Sequence, residues 1–313
     1  MTERLDAQLT NPRAERVRRA AGLSRRSARR RHGQFLVEGP QGVREAVVHA
    51  ARQVRDVYLT AAAAERYPEI VAAARAARLH LHTATADVLA AMSEDAQGVL
   101  AVLEAAGATT SATLADLAAA DGAGPRLVAV LTGVADPGNA GTVIRAADAA
   151  GADAVVLTAG SVEALNPKVV RSTAGSLFHL PVVTGASLDA TLAELRERGA
   201  AAGAPPTVLA ADAAGEWDLD ELQDRAHSAA IGALTTWDDA LPATDLLAPD
   251  LAAPSVWVFG NEAHGLAPAE RDACDAVVRV PIHGQAESLN LATAATLCLY
   301  ASARAQRRGD GRG

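Results

Sequence analysis

Two loops near the carboxyl end of the chain carry residue types that could do chemistry. The apolar run Val256–Phe259 delivers the chain into Gly260-Asn261-Glu262, with Gly265 three positions further on. An amide and a carboxylate placed directly after a buried-type strand sit where open α/β sheets bind ligands. A second run, Val278–Ile282, leads to Ser288-Leu289-Asn290 and then to a stretch lined with small residues. Ser288 can cap a helix opening there by accepting a bond from an orphan amide, which leaves the other first-turn amides for a ligand or water. Either loop taken alone also fits an ordinary sheet edge or an ordinary helix cap.

A third constellation stands earlier in the chain. Asp136-Pro137-Gly138 is a turn signal after the apolar run Leu127–Thr132, and Asn139 is a natural N-cap for the helix that follows. Gly141 and Arg145 are four apart and share a helical face; the glycine leaves backbone bare while the guanidinium reaches toward the loop, where a phosphate would suit it. The spacing is neither a G-x-G-x-x-G fingerprint nor a Walker loop, which disfavours a dinucleotide or NTP site. Lys168 and Arg171 follow Asn166-Pro167 near the start of another helix. Cations there oppose the helix dipole, a placement that suits phosphate contact better than stability. His80 and His82 share one face of a short strand and could suit a metal, but no third ligand is in view. They read as exposed polar positions, and no metal is expected. Cys274 and Cys298 lack CxxC spacing, which excludes a zinc ribbon or a disulfide framework, and read as buried thiols.

The elements that must position these residues follow from periodicity. Asn11–His32 has the composition of an Arg-rich helix. Phe35–Gly39 reads as a strand, Gln41–Ala51 as a helix, Val54–Thr60 as a strand and Ala61–Arg78 as an alanine-rich helix. Leu79–Thr83 is again a strand, Val88–Met92 is helical, and Gln97–Leu103 closes a compact α/β unit. From 106 to 125 the composition shifts to Ala, Thr, Gly and Asp, with one short helical piece at Leu114–Ala120. Beyond it come strand Leu127–Thr132, helix Asn139–Ala150, strand Ala154–Leu157, helix Pro167–Phe178, strand Leu180–Val183, helix Leu188–Arg198 and strand Thr207–Ala211. Regular βα alternation implies a parallel sheet covered on both faces. Residues 213–254, acidic and holding Pro242, Pro249 and Pro254, break the rhythm and read as an irregular excursion with one short helix at Asp220–His227. The expected organisation is a basic helical arm over 1–30, a smaller α/β domain over 31–105, a linker over 106–125 and a larger α/β domain over 126–313.

At 313 residues the chain is long enough for two domains; with 50% hydrophobic but only 3% aromatic residues, its core must be built from Ala, Val and Leu. No run approaches the roughly 20 apolar residues of a membrane span, and the Arg-rich N-terminus is no secretory signal, so a cytoplasmic location is expected. The net charge of −8 hides an asymmetry. Residues 1–31 hold ten Arg against Glu3, Asp6 and Glu15, an excess of seven positive charges, so the remainder carries a net −15. A basic segment on an acidic body points to a polyanionic partner, although a solvated helical arm has the same composition.

Taken in order, Asp136-Pro-x-Asn139-x-Gly141-x-x-x-Arg145, Gly260-Asn261-Glu262-x-x-Gly265, and Pro281 followed by Ser288-Leu289-Asn290 resemble the three motifs of the SpoU-type branch of the SPOUT superfamily. Its members are S-adenosylmethionine-dependent RNA ribose 2′-O-methyltransferases. Phe35–Gly39 with Gln97–Ala101 is similar to the RNA-substrate-binding domain that often precedes that catalytic domain, so the resemblance spans about residues 15–305. It implies an α/β catalytic domain whose C-terminal segment is threaded as a trefoil knot, a feature too rare to infer from periodicity. It also implies a cofactor bent within the knot and a site completed by a second subunit, with the helix after Asn290 packed on its mate in a homodimer. By position, Gly260, Asn261, Gly265, Val280, Ile282, Ser288 and Leu289 would line the cofactor pocket, and Leu209, Ala210 and Ala211 would end a neighbouring wall. Asn139, Arg145, Glu262, Ser288 and Asn290 would form the catalytic set, with Arg25, Arg26, Arg29, Arg30, Lys168 and Arg171 on the RNA.

A sulfonium methyl is a strong electrophile, so such an enzyme must chiefly align a ribose 2′-hydroxyl with it and help that hydroxyl lose a proton. The resemblance makes Arg145 the activator, yet a guanidinium, with a pKa above about 12, is a poor base. Arg145 is therefore expected to hold the adjacent phosphate and stabilise the developing alkoxide, with Glu262, Asn139 and Asn290 orienting it and a neighbour or water taking the proton. The expected substrate is structured RNA, ribosomal before transfer RNA because of the N-terminal domain type. One rival is a non-catalytic RNA-binding or ribosome-assembly protein of the same fold, which has no need of the five-residue set. The other is a Rossmann-type nucleotide enzyme, which would need a glycine fingerprint that is missing here. The acidic stretch 213–254 is expected to lie away from RNA, which it would repel.

Overall fold

The computed structural model describes residues 8–107, 113–117, 124–232 and 248–309. They fall into two units, one drawn from Met1–Ala112 and Glu163–His179, the other from Thr113–Val162 and Leu180–Gly313. The segment Glu163–His179 thus packs with the first unit although its neighbours in sequence belong to the second.

In the first unit a four-stranded sheet has the order β1-β4-β2-β3, where β1 is Gln34–Glu38, β2 is Val54–Leu59, β3 is His80–Thr83 and β4 is Val99–Glu104. β4 is antiparallel to β1 and β2, and β3 runs parallel to β2. One core cluster joins Val17, Ala20 and Leu23 of the arm, Val88, Leu89 and Met92 of helix Ala86–Met92, and Leu36, Tyr58 and Leu100 of the sheet.

Several expectations for this unit are revised. The arm is two helices, Glu15–Gly22 and Arg26–His32, not one over Asn11–His32. Leu23 turns into the core at 1% exposure, and the Arg29 guanidinium donates to the carbonyls of Leu23 and Ser24, at 3.0 and 2.9 Å, taking up groups that the break leaves without helical partners. Ala61–Arg78 divides into Ala61–Arg66 and Pro68–Ala76, because Pro68 excludes Tyr67 from helical geometry and itself suits a first turn. Pro167–Phe178 divides into a helix, Pro167–Ser172, and a 3-10 turn, Ser176–Phe178, separated by Ala174 and Gly175 at φ +51° and +103°. His80 is exposed as expected, but His82 is not. It is buried with Arg16 at 3.3 Å from Nδ1 and Asp56 at 2.7 Å from Nε2, and it stacks on Tyr58. Burial works to raise the Asp56 carboxyl, but its bond to His82 and the charges of His82, Arg16 and Arg55 outweigh it and hold it below the ordinary carboxylate range.

The second unit is built on a seven-stranded sheet in the order β7-β6-β5-β10-β8-β11-β9. Here β5 is Leu127–Leu131, β6 Ala154–Leu157, β7 Val182–Thr184, β8 Thr207–Ala211, β9 Trp217–Asp218, β10 Ser255–Phe259 and β11 Ala276–Arg279. Every pairing is parallel. β5, β6 and β10 are buried along their whole length, which is why they read as unbroken apolar runs rather than alternating ones. β10 enters between β5 and β8, both laid down earlier in the chain. Helix Leu291–Gly309 packs on helix Pro137–Ala150 and reaches the sheet, where the indole N–H of Trp257 donates to Ser302 Oγ at 2.9 Å with both side chains fully buried.

The stretch 213–254 is more regular than its composition suggests. Trp217–Asp218 extends the sheet as the edge strand β9, and Asp218 caps a helix, Leu219–Ala230, by accepting from the N–H of Asp220. Residues 233–247, including Pro242, lie outside the described residues, as does the second half of the expected helical piece Leu114–Ala120, whose first half is a 3-10 turn, Leu114–Leu117. No described helix is long and apolar enough to cross a membrane.

Candidate active site

Because all seven strands run the same way, the loops leaving β5, β10, β8 and β11 gather at one edge of the sheet. They enclose a cavity of about 580 Å³, a size typical of sites for small molecules and cofactors. Gly260 begins the β10 loop and admits no side chain: a Cβ there would stand 2.3 Å from the carbonyl carbon of Gly265 and 2.4 Å from its oxygen. The loop closes on itself, the Asn261 N–H donating to the Gly265 carbonyl at 3.0 Å and the Gly265 N–H to the Asn261 carbonyl at 2.8 Å, with Gly265 at φ +65°. The side chain of Asn261 is committed at both ends. Its Nδ2 donates to the Gly133 carbonyl at 2.7 Å and its Oδ1 accepts from the Ala263 N–H at 2.9 Å, tying the β10 loop to the β5 loop.

The polar groups on one side of the cavity form a directional chain. Asp136, not Asn139, caps helix Pro137–Ala150, its Oδ1 accepting from the Asn139 N–H at 2.7 Å, with Pro137 in the first turn. That revision frees the Asn139 side chain, whose Nδ2 donates to Glu262 Oε1 at 3.2 Å and whose Oδ1 accepts from Asn290 Nδ2 at 2.9 Å. Asn290, not Ser288, caps helix Leu291–Gly309, its Oδ1 accepting from the N–H groups of Ala292 and Thr293 at 2.9 and 3.4 Å. The helix amides therefore decide which end of Asn290 faces Asn139, and Asn290 decides which end of Asn139 faces Glu262. Glu262 also accepts from the N–H groups of Ala135 at 3.2 Å and Asp136 at 3.1 Å. Burial acts to raise its carboxyl, but bonds from its own amide, Ala135, Asn139 and Asp136 together hold it below the usual range.

Asn139, Ala211, Gly260, Asn261, Glu262, Gly265, Val280, Ile282, Ser288, Leu289 and Asn290 all line the cavity. Leu209 and Ala210 do not. They are fully buried inside the sheet, opposite Trp257 and Val258 of β10, and only the last residue of β8 reaches its edge. Arg145 does not line the cavity of its own chain either; it is exposed and has no hydrogen bond or ion pair among the described residues. The Ser288 side chain, on the cavity wall, likewise has no partner there. Asp212 and Ala213 line the cavity and are absent from the expected set. Asp212 carries the same signal as Glu262, a carboxylate at the end of an apolar strand.

The basic residues expected to meet RNA divide in two. Arg29, its side chain 4% exposed, holds Glu163 through bonds of 3.2 and 2.6 Å, and Arg171 bridges Glu38 at 2.8 Å and Asp95 at 2.6 Å. Both build the first unit and are not free for a phosphate. Arg26 stands 3.5 Å from Glu163 with its side chain 71% exposed, while Arg25, Arg30 and Lys168 are exposed with no ion pair among the described residues.

Two family models match the chain: the SpoU rRNA Methylase family over residues 126–300 and the MRM3-like substrate binding domain over residues 14–101. The 23S rRNA (guanosine-2′-O-)-methyltransferase RlmB of Bordetella pertussis is 30% identical over 268 residues, covering 83% of this chain and 93% of that protein. The 23S rRNA (uridine(2479)-2′-O)-methyltransferase of Streptomyces viridochromogenes is 34% identical over 173 residues, covering 55% of this chain and 50% of that one. Among solved structures, the SpoU methyltransferase AviRb from Streptomyces viridochromogenes in complex with the cofactor AdoMet superposes with a TM-score of 0.69 at 28% identity, covering 93% of this chain and 98% of that chain.

Proposed function

The chain belongs to the SpoU rRNA Methylase family, and from that premise we propose that it transfers the methyl group of S-adenosylmethionine to a ribose 2′-hydroxyl of ribosomal RNA. The observation that carries this reading is the directional chain Asn290–Asn139–Glu262 on the wall of a cofactor-sized cavity. A sheet edge that only bound RNA would need no amide held end-to-end against an ionised carboxylate.

The cavity suits the cofactor on its own chemistry. Val280, Ile282 and Leu289 offer an apolar wall for an adenine ring, and Asp212 and Glu262 offer carboxylates to a molecule whose sulfonium and amino group are cationic. When bound, S-adenosylmethionine supplies the electrophilic methyl. The chain's own residues position what receives it: Glu262 stays ionised and anchors Asn139, Asn139 and Asn290 present fixed amide edges, and Ser288 offers an uncommitted hydroxyl. Val280 through Asn290 belong to the segment that the family resemblance assigns to the trefoil knot.

Arg145 completes the set from a second subunit in this reading. It does not line the cavity of its own chain, and helix Leu291–Gly309 leaves Leu297 and Tyr300 at 44% and 47% exposure, three positions apart on one helical face. A homodimer closed through that face would cover them. The guanidinium then holds a phosphate beside the target ribose and stabilises the alkoxide as the proton leaves to a neighbour or water. Residues 31–105 present the RNA, aided by the exposed Arg25, Arg26, Arg30 and Lys168. A ribosomal RNA substrate is consistent with a cytoplasmic location.

The test is incubation of the purified protein with S-adenosylmethionine and 23S ribosomal RNA lacking the modification, followed by alkaline hydrolysis. A 2′-O-methyl group blocks cleavage at its own 3′ side, so a single gap in the ladder is the expected result. Methyl incorporation without a gap, as base methylation would give, or no incorporation in the presence of bound cofactor, would overturn the reading.

A further inference from the structure

We propose that Glu45, His49 and His179 form a divalent-metal site on the first unit, suited to Zn²⁺. Glu45 and His49 lie one turn apart at the end of helix Pro40–His49, and His179 directly follows the 3-10 turn Ser176–Phe178. Both imidazoles converge on one carboxylate oxygen: Glu45 Oε2 is 3.4 Å from His49 Nε2 and 3.2 Å from His179 Nε2, and the three donor atoms all lie within 4.8 Å of one another. Around a tetrahedral ion with bonds of about 2.0–2.1 Å, donor atoms stand roughly 3.4 Å apart. Two of the three separations, 3.4 and 3.2 Å, are already close to that value. The rings meet edge to face with centroids 4.7 Å apart, so modest rotations complete the set.

The backbone is shaped to bring these residues together. Gly175 sits at φ +103°, and a Cβ there would lie 2.3 Å from Glu45 Cγ and 2.7 Å from its Cβ. Only glycine lets the Glu163–His179 segment settle against Glu45. The donor set also selects the ion. Two imidazoles and one carboxylate suit Zn²⁺ or its neighbours, whereas Mg²⁺ and Ca²⁺ require oxygen-rich shells. The fourth position is left to water. Neither cysteine belongs to the set: both lie in the second unit, and burial raises each thiol above its ordinary range. His179 is the last residue before the chain returns to the second unit, so an ion here would clamp the end of that excursion to helix Pro40–His49.

No residue of this site belongs to the cofactor cavity or to the catalytic set of the methyl-transfer reading, so it stands or falls independently of them. The test is calorimetric titration of tag-free, chelator-treated full-length protein with ZnCl₂, alongside His49→Gln and His179→Gln and with MgCl₂ as the contrasting ion. One Zn²⁺ per chain is expected, with affinity falling at least about tenfold in each variant and no response to Mg²⁺. Hydrogen exchange at residues 174–179 should slow on Zn²⁺ addition in the wild type alone. Co²⁺ gives a second readout should a variant be less stable: the intense visible band of a four-coordinate site is expected in the wild type and absent from both variants. Equal binding by all three proteins, or none by the wild type, would overturn the proposal.

Discussion

Asn290 donates from its side-chain amide to the side-chain oxygen of Asn139 at 2.9 Å, across 151 positions of sequence. Each residue is held by an independent device: Asn290 by the amides it caps at the start of the last helix, and Asn139 by the carboxylate of Glu262. One hydrogen bond thus joins the β5 loop side of the cavity to the segment that follows β11.

Asn290→Asp separates capping from donation. The new carboxylate still accepts from Ala292 and sits favourably at a helix N-terminus, so the thermal midpoint should stay close to that of the wild type. It can no longer donate to Asn139. If the Asn139 amide turns to compensate, its oxygen faces Glu262 and the conflict moves one link along. Methyl transfer should fall at least about tenfold with the fold intact, while Asn290→Ala should also lose about 1 kcal/mol of stability with the cap. Paired denaturation curves and initial rates check this; equal activity of Asn290→Asp and wild type would remove the chain from the mechanism.

Glu262 gives a signed pH dependence. Its folded-state carboxyl is held below its ordinary value of 4.5, so its contribution to stability is fully present above that pH and is lost as the pH falls through the lowered folded value. Glu262→Gln places an amide N–H₂ where a carboxylate oxygen accepted from backbone amides. The variant should be less stable than wild type at neutral pH, and the gap should narrow in acid below pH 4.5. Urea midpoints measured from neutral pH downward would show it.

What could be read from sequence follows a physical line. β5, β6, β8 and β10 were legible because strands buried on both faces must be unbroken apolar runs, and the polar residues at their ends mark the site edge. The cap assignments were not. Asn139 and Ser288 are good cap residues, but Asp136 and Asn290 occupy the geometry that captures the first-turn amides. Which arginines are free was illegible for a different reason. Arg29 looks like its neighbours in a basic run, and its burial depends on Glu163, 134 positions away. His82 likewise depends on Asp56 and Arg16, partners from other elements.

Gly260→Ala should disable the cofactor pocket directly. The added methyl would meet the Gly265 backbone at 2.3–2.4 Å, a clash that only opening of the 260–266 loop relieves. Opening breaks the paired Asn261–Gly265 backbone bonds and moves the Asn261 side chain off Gly133. The expected cost is upward of about 2 kcal/mol, with S-adenosylhomocysteine binding reduced below detection by calorimetry. Gly284→Ala, where an added Cβ meets nothing within 4 Å, is the control and should bind normally.

Arg145 supplies the sharpest test of assembly. It is exposed and makes no hydrogen bond or ion pair among the described residues, so Arg145→Lys should change stability by no more than about 0.5 kcal/mol. Lysine keeps the charge but loses the planar fork, so turnover should drop while cofactor binding is retained. If the guanidinium serves the partner's cavity, mixed dimers distinguish it from a residue acting at home. Homodimers of a subunit carrying Arg145→Lys should turn over slowly, and those of a subunit carrying Gly260→Ala not at all. In the mixed dimer the intact cavity of the first receives the intact Arg145 of the second, and about half of a wild-type dimer's activity should return. Leu297→Glu, which charges the exposed helix face, should abolish both dimer and activity in sedimentation and turnover assays. No recovery in mixed dimers of confirmed composition would place Arg145 at its own subunit's site.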